Sequence, residues 1–217
     1  MKVRFLGASV HNTARRQYAS SYLINGTVAV DAGCLGFYGS PQDQETIRHV
    51  FLTHSHSDHT ATLPIFLETA WTPTGECPRI YGMPETLDSV QRHIFNQVMW
   101  PDFVALSRKM HPFLRLCPLE AEVPVDADSL SITPVPVHHQ VPTVGYVVTD
   151  GQTSVIIAGD TAPTTRLWEV AHRTPGLQAI FLEACFPNSM RGLAEGRIIS
   201  RRRCLARRSP RCRERSG

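Results

Sequence analysis

The sequence predicts an α+β fold in which two sheets pack face to face with helices outside. Two observations carry this. Short β-rich runs come in two batches, residues 2–53 and 130–158, and each batch is followed by segments whose apolar residues recur at helical spacing. Turn dipeptides punctuate both batches, Asn25-Gly26 in the first and Asp150-Gly151 in the second.

In chain order the first batch reads as strands over Lys2–Leu6, Ser21–Ile24, Val28–Asp31 and Val50–Thr53. From His59 the period changes. Leu63, Phe66, Leu67 and Ala70 fall on one helical face and would lay that segment on the first sheet. A second helix is predicted after Pro84, carrying Leu87, Val90, Ile94 and Val98 and stopping before Pro101. Beyond Leu114–Cys117, strand patterns resume at Leu130–Val137, Val144–Thr149 and Ser154–Ala158, then a helix at Leu167–Val170 and a strand at Ala179–Leu182.

The length of 217 residues suits one sizeable core, with a folded domain expected over residues 1–190 and a basic tail over 191–217. The formal charge of +3 is misleading, because nine arginines crowd between Arg197 and Arg215 and leave the body near neutral. Net charge therefore does not point to a nucleic-acid-binding face. Six cysteines (Cys34, Cys77, Cys117, Cys185, Cys204, Cys212) form no C-x-x-C pair, so reduced, mostly buried thiols are expected rather than a disulfide framework or zinc knuckle. Met1–Leu6 turns polar too soon for a secretory h-region, and no apolar run is long enough to span a bilayer. A cytoplasmic location with no membrane partner is the expectation.

The densest chemistry lies in Thr53-His54-Ser55-His56-Ser57-Asp58-His59. Divalent zinc, manganese and iron favour imidazole and carboxylate ligands, and a second ion needs a second ligand set about 3.5–4 Å away. His54 and His56 follow the apolar run Val50-Phe51-Leu52 and, two apart in extended chain, project the same way. Asp58 and His59 sit where the loop turns into the next helix and would serve the neighbouring position. Further ligands are offered after later strands. In Pro134–His139, Val135 and Val137 share parity with His139 and leave His138 on the other side, without fixing which side holds a metal. Asp160 ends the apolar run Val155–Gly159, where a carboxylate is well placed to bridge two cations. Two cations bring the pKa of a shared water towards neutrality and offset charge on substrate oxygens, with Asp58 orienting that water or taking its proton. Hydrolysis by metal-bound hydroxide is the natural outcome.

The order Asp31, His54–His59, His139-x-x-Pro142-x-x-Gly145-Tyr146 and Gly159-Asp160-Thr161 resembles the metallo-β-lactamase superfamily, in its phosphodiesterase and tRNA-processing branch, from about Met1 to Asn188. The resemblance implies an αββα sandwich. It selects His139 over His138, and it assigns His54, His56 and His139 to one metal, Asp58 and His59 to the other, and Asp160 as the bridge. Glu85-Thr86-Leu87, Arg92–Asn96, Trp100-Pro101-Asp102-Phe103 and Leu182–Asn188 further resemble bacterial class II 3′,5′-cyclic-nucleotide phosphodiesterases. For Trp100–Phe103, a helix end packing on the core is the alternative. The implied substrate is cAMP or cGMP, a small molecule rather than a nucleic acid, with two divalent ions, zinc or equally manganese or iron, as cofactors. The alternatives are a tRNA 3′-processing endonuclease-like nuclease and an inactive truncated product. A homodimer is the default assembly.

The family pattern continues past Pro187-Asn188 with a Gly-His-Leu-Thr-like segment and a later histidine that completes the second metal site. Here the arginine tail follows instead. A frameshift is the expected explanation. Reading two nucleotides later through Gly196–Leu205 permits Pro-His-His-Leu-Thr-Pro-Ala-Met-Leu, close to the missing segment. The C-terminal part of the fold is therefore expected to be incomplete, with reduced stability and metal occupancy. A genuine basic, disordered tail is the rival account, and the DNA beyond the Glu195 codon decides between them.

Overall fold

A computed structural model describes residues 1–7, 19–73 and 75–183. The expectations for Ala184–Asn188 and for the tail lie outside them. The described residues divide into two compact units, one within Met1–Glu120 with Asp126–Leu130, the other within Ala121–Val125 with those from Ser131 to Glu183.

In the first unit six strands form one mixed sheet in sequence order: β1 (Val3–Phe5), β2 (Tyr22–Ile24), β3 (Val28–Val30), β4 (His49–Phe51), β5 (Arg79–Gly82) and β6 (Arg115–Pro118). β1, β2 and β3 pair antiparallel, and β3 through β6 run parallel. Asn25 and Gly26, at φ 51° and 86°, make the predicted hairpin turn, and with Thr27 they connect β2 to β3. Parallel neighbours need crossovers, supplied by α1 (Pro41–Glu45), α2 (Ser57–Thr60), α3 (Leu63–Thr69), α4 (Pro84–His93) and α5 (Phe103–Leu106). Leu23, Ala29, Val50, Leu52 and Ile80 share a buried cluster with Leu63, Phe66, Leu67, Leu87 and Val90, so the predicted stripe on α3 faces the sheet.

The second predicted helix runs too far. α4 ends at His93, and Val98, expected on its apolar face, is 86% exposed. Asn96 breaks it, because its side-chain oxygen accepts from the backbone N–H of Val98 and Met99, and Gln97 turns to φ 66°. The chain re-enters at α5, where Asp102 caps Ala105 and buried Phe103 stacks 4.1 Å from Phe113. Trp100 packs partly against the same core.

The second sheet has the order β11-β10-β9-β8-β7, from β7 (Val125–Ala127), β8 (Leu130–Pro136), β9 (Val144–Thr149), β10 (Ser154–Ile157) and β11 (Leu177–Phe181). β8, β9 and β10 pair antiparallel, and β10 and β11 pair parallel across α6 (Arg166–Arg173). Val135, Val147, Ile156, Ala158 and Leu167 form the core of this second unit. Two sheets with flanking helices give the α+β class. Among the described residues Cys34, Cys77 and Cys117 are free thiols, and no helix is long and apolar enough to cross a membrane.

His49 on β4 is buried, with Nδ1 3.1 Å from the Tyr81 hydroxyl and Nε2 3.5 Å from Asp128. Burial, with help from Arg79 and Arg48, outweighs the Asp128 carboxylate and holds the imidazole pKa below its usual value. As pH falls, the unfolded chain takes up a proton near pH 6.5 before the folded one does. The contribution of His49 is therefore complete above about pH 6.5 and is lost as pH falls. Urea midpoints are expected to drop between pH 7.5 and 5.5 in the native chain, and to drop less in His49→Phe. Equal acid sensitivity in both would contradict this.

Candidate metal centre

Parallel neighbours β3 and β4 deliver their C-terminal ends side by side, and the backbone stitches the following loops together. Asp31 N–H donates to Phe51 O at 2.9 Å, Ala32 N–H to His59 O at 2.7 Å, and Ser20 N–H to Asp58 O at 2.8 Å. His56 stands at the N-terminus of α2, where its carbonyl accepts from His59 N–H and from the Thr60 hydroxyl. The loop therefore coils back on itself and brings three imidazoles together, with ring centroids 4.6 Å apart for His54 and His56 and 4.2 Å for His54 and His59.

A buried carboxylate sets their orientation. Asp31, fully buried at φ 61°, accepts from Thr53 N–H (2.8 Å), from the Thr53 hydroxyl (2.9 Å) and from His59 Nδ1 (2.7 Å). The Thr53 hydroxyl has one proton, given to Asp31, so it accepts from His54 Nδ1 at 3.0 Å. Both rings thus carry their proton on Nδ1 and present the Nε2 lone pair. Asp58, half exposed, places Oδ2 3.8 Å from His59 Nε2. Sequence reading singled out Asp31 only as part of a pattern, and the orienting role of Thr53 was missed. The available signal was a carboxylate closing an apolar strand one residue before a turn, as at Asp160.

In the second unit β8 stops at Pro136, one residue short of the expected end, and the two histidines lie beyond it. The His138 carbonyl accepts from Ala162 N–H at 2.7 Å and its side chain is exposed. His139 turns inward, its Nε2 3.7 Å from Asp160 Oδ2, with side chains 1% and 4% exposed. Gly159, at φ 60°, supplies the left-handed bend that precedes Asp160.

The donors are imidazole nitrogens with fixed tautomers and carboxylate oxygens, the set that zinc, manganese and iron share. Rings this close would repel one another if protonated, whereas lone pairs facing a cation are stabilised. The residues fit a divalent metal.

Gly33 guards the loop contact. A Cβ there would collide with the Asp58 carbonyl and come within 2.7 Å of Ser20 N. Both partners are backbone and cannot swing aside. Gly33→Ala is expected to destabilise the fold by about 1–3 kcal/mol, measured as a lower urea midpoint with an unchanged m-value. An unshifted midpoint would show that the loops can separate freely.

A family model described as Beta-lactamase superfamily domain matches residues 31–197. Ribonuclease Z of Pseudomonas putida is 31% identical over 112 residues, 51% of this chain and 32% of that protein. The 3′,5′-cyclic-nucleotide phosphodiesterase 1 of Saccharomyces cerevisiae is 35% identical over 66 residues, 30% of this chain and 18% of that protein. The chain spans less than half the length of these curated relatives. Unliganded yeast PDE1 superposes with a TM-score of 0.73 at 18% identity, covering 95% of this chain and 80% of that one, a likeness of fold.

Proposed function

The chain belongs to the beta-lactamase superfamily domain family, has the metallo-β-lactamase fold, and on that premise we propose that it is a metal-dependent phosphodiester hydrolase acting on a 3′,5′-cyclic nucleotide. The observation that carries this reading is the buried Asp31–Thr53 network, which holds His54 and His59 by Nδ1 and so points Nε2 of both away from the buried carboxylate. His54, His56 and His139 would hold one ion, Asp58 and His59 the other, and Asp160 would bridge them, with zinc as the leading candidate. When bound, the ions supply Lewis acidity to a water and to the phosphoryl oxygens. Asp58, half exposed beside His59, would orient the attacking water and take its proton. Water adds to phosphorus, the P–O3′ bond breaks and O3′ takes a proton, leaving the nucleoside 5′-monophosphate. Similarity to the yeast cyclic-nucleotide phosphodiesterase supports this substrate.

A second reading, RNA 3′-end processing, is favoured by the match to ribonuclease Z over 112 residues. Assaying cAMP, cGMP and a precursor tRNA side by side with zinc- or manganese-loaded protein separates the two. Turnover of the cyclic nucleotides is expected, whereas cleavage of the tRNA alone would replace the reading with the second. A metal-loaded chain inert towards all three would refute both.

Chelation gives a further expectation. Treatment with EDTA should abolish turnover, and added divalent metal should restore it. Full activity after exhaustive chelation, with the loss of metal verified by mass spectrometry, would exclude a metal role.

A further inference from the structure

Outside the metal centre, the first unit holds a concave site of about 280 Å³ lined by Lys2, Arg4, Leu23, Asn25, Gly26 and Tyr38. We propose that it binds the phosphate of a nucleotide, with the sugar or base against Tyr38. Lys2 and Arg4 lie two apart at the start of the chain and through β1, so they share one face of the sheet. Neither is loosely hung. The Lys2 backbone exchanges hydrogen bonds with Asn25, donating N–H to Oδ1 at 2.9 Å and accepting from Asn25 N–H at 2.9 Å. Arg4 pairs in register with Leu23, donates to the Tyr38 hydroxyl at 3.1 Å, and lies with its guanidinium carbon 5.7 Å from the Tyr38 ring centroid.

The lining carries two cations and no carboxylate. Asp43, whose carboxyl feels Arg4, accepts from the N–H and hydroxyl of Ser40. Net positive charge beside the Tyr38 ring selects an anion with an apolar part. A planar guanidinium matches phosphate oxygens, and an arginine with an aromatic ring gives a surface on which a base stacks. The volume falls just below the usual range for small-molecule sites, so the site would hold the phosphate and leave part of the nucleotide in solvent. The proposal does not depend on the hydrolytic reading.

Calorimetric titration with AMP, adenosine and a short single-stranded oligouridylate tests it, in the native chain, in Lys2→Gln/Arg4→Gln and in Arg4→Lys. The native chain is expected to bind AMP at a site that adenosine does not fill and that weakens with salt. The double variant should lose that site, by about tenfold or more in affinity, while retaining its thermal midpoint and its hydrolysis of the substrate found above. Arg4→Lys, which keeps the charge but not the planar fork, should bind with an affinity between those of the native chain and the double variant. Tighter binding of the oligouridylate would assign the site to a nucleic-acid strand, and AMP binding alone to a free nucleotide. Equal binding by AMP and adenosine, identical isotherms for native and double variant, or no binding at all would overturn the proposal.

Discussion

His56→Ala is expected to lower kcat/KM by about 10³-fold, close to 4 kcal/mol of transition-state stabilisation, with little loss of folding stability. The position separates chemistry from folding. His56 is half-buried and caps α2 through its backbone carbonyl alone, with no side-chain capping bond. Removing the ring therefore deletes one proposed metal ligand without breaking the loop. His138→Ala is the control, since that exposed side chain neighbours His139 without sharing its buried orientation. Kinetics with saturating metal, metal content by mass spectrometry and a thermal melt would be read together. Native-like turnover in His56→Ala at unchanged metal content would mean that the imidazole cluster is not the reacting centre. A similar loss in His138→Ala would mean that the choice between the two histidines was made wrongly.

The sequence exposed this region because ligand side chains must be local in kind even when the site is not. Four histidines and aspartates within six residues after an apolar strand form a pattern that needs no knowledge of packing. Strands with alternating or continuous apolar residues, such as Val144–Thr149, were legible to the residue for the same reason. Arg79–Gly82 was not, because its leading, half-buried arginine and terminal glycine mask a four-residue strand whose pairing with β4 and β6 is decided by tertiary contacts. Likewise Asn96 reads as an ordinary polar position inside a helical stripe, and only its bonds to Val98 and Met99 reveal a stop. The orienting network was hidden for a related reason. Asp31 and Thr53 are 22 residues apart, and parallel pairing of β3 with β4 is what makes them neighbours.

That network supports the second large effect. In Asp31→Asn the backbone is tolerated, since asparagine, unlike alanine, adopts a φ near 61° at little cost. The Thr53 N–H still requires an acceptor at the position of Oδ1, which places the new amide nitrogen opposite His59 Nδ1. Two donors cannot face each other, so His59 must move its proton to Nε2 and forfeit the lone pair it offers a metal. Metal affinity at that position is expected to fall about 10–100-fold, with a correspondingly higher metal concentration needed for half-maximal turnover. Asp31→Ala should show the same loss and, in addition, about 1–3 kcal/mol of lost folding stability from the buried Thr53 and His59 donors left without an acceptor. The two variants thus split one residue's work into orientation and folding. Metal titrations followed by activity and by melting temperature distinguish them. If Asp31→Asn binds metal as tightly as the native chain, the tautomer of His59 is not what Asp31 controls, and the carboxylate serves the fold alone.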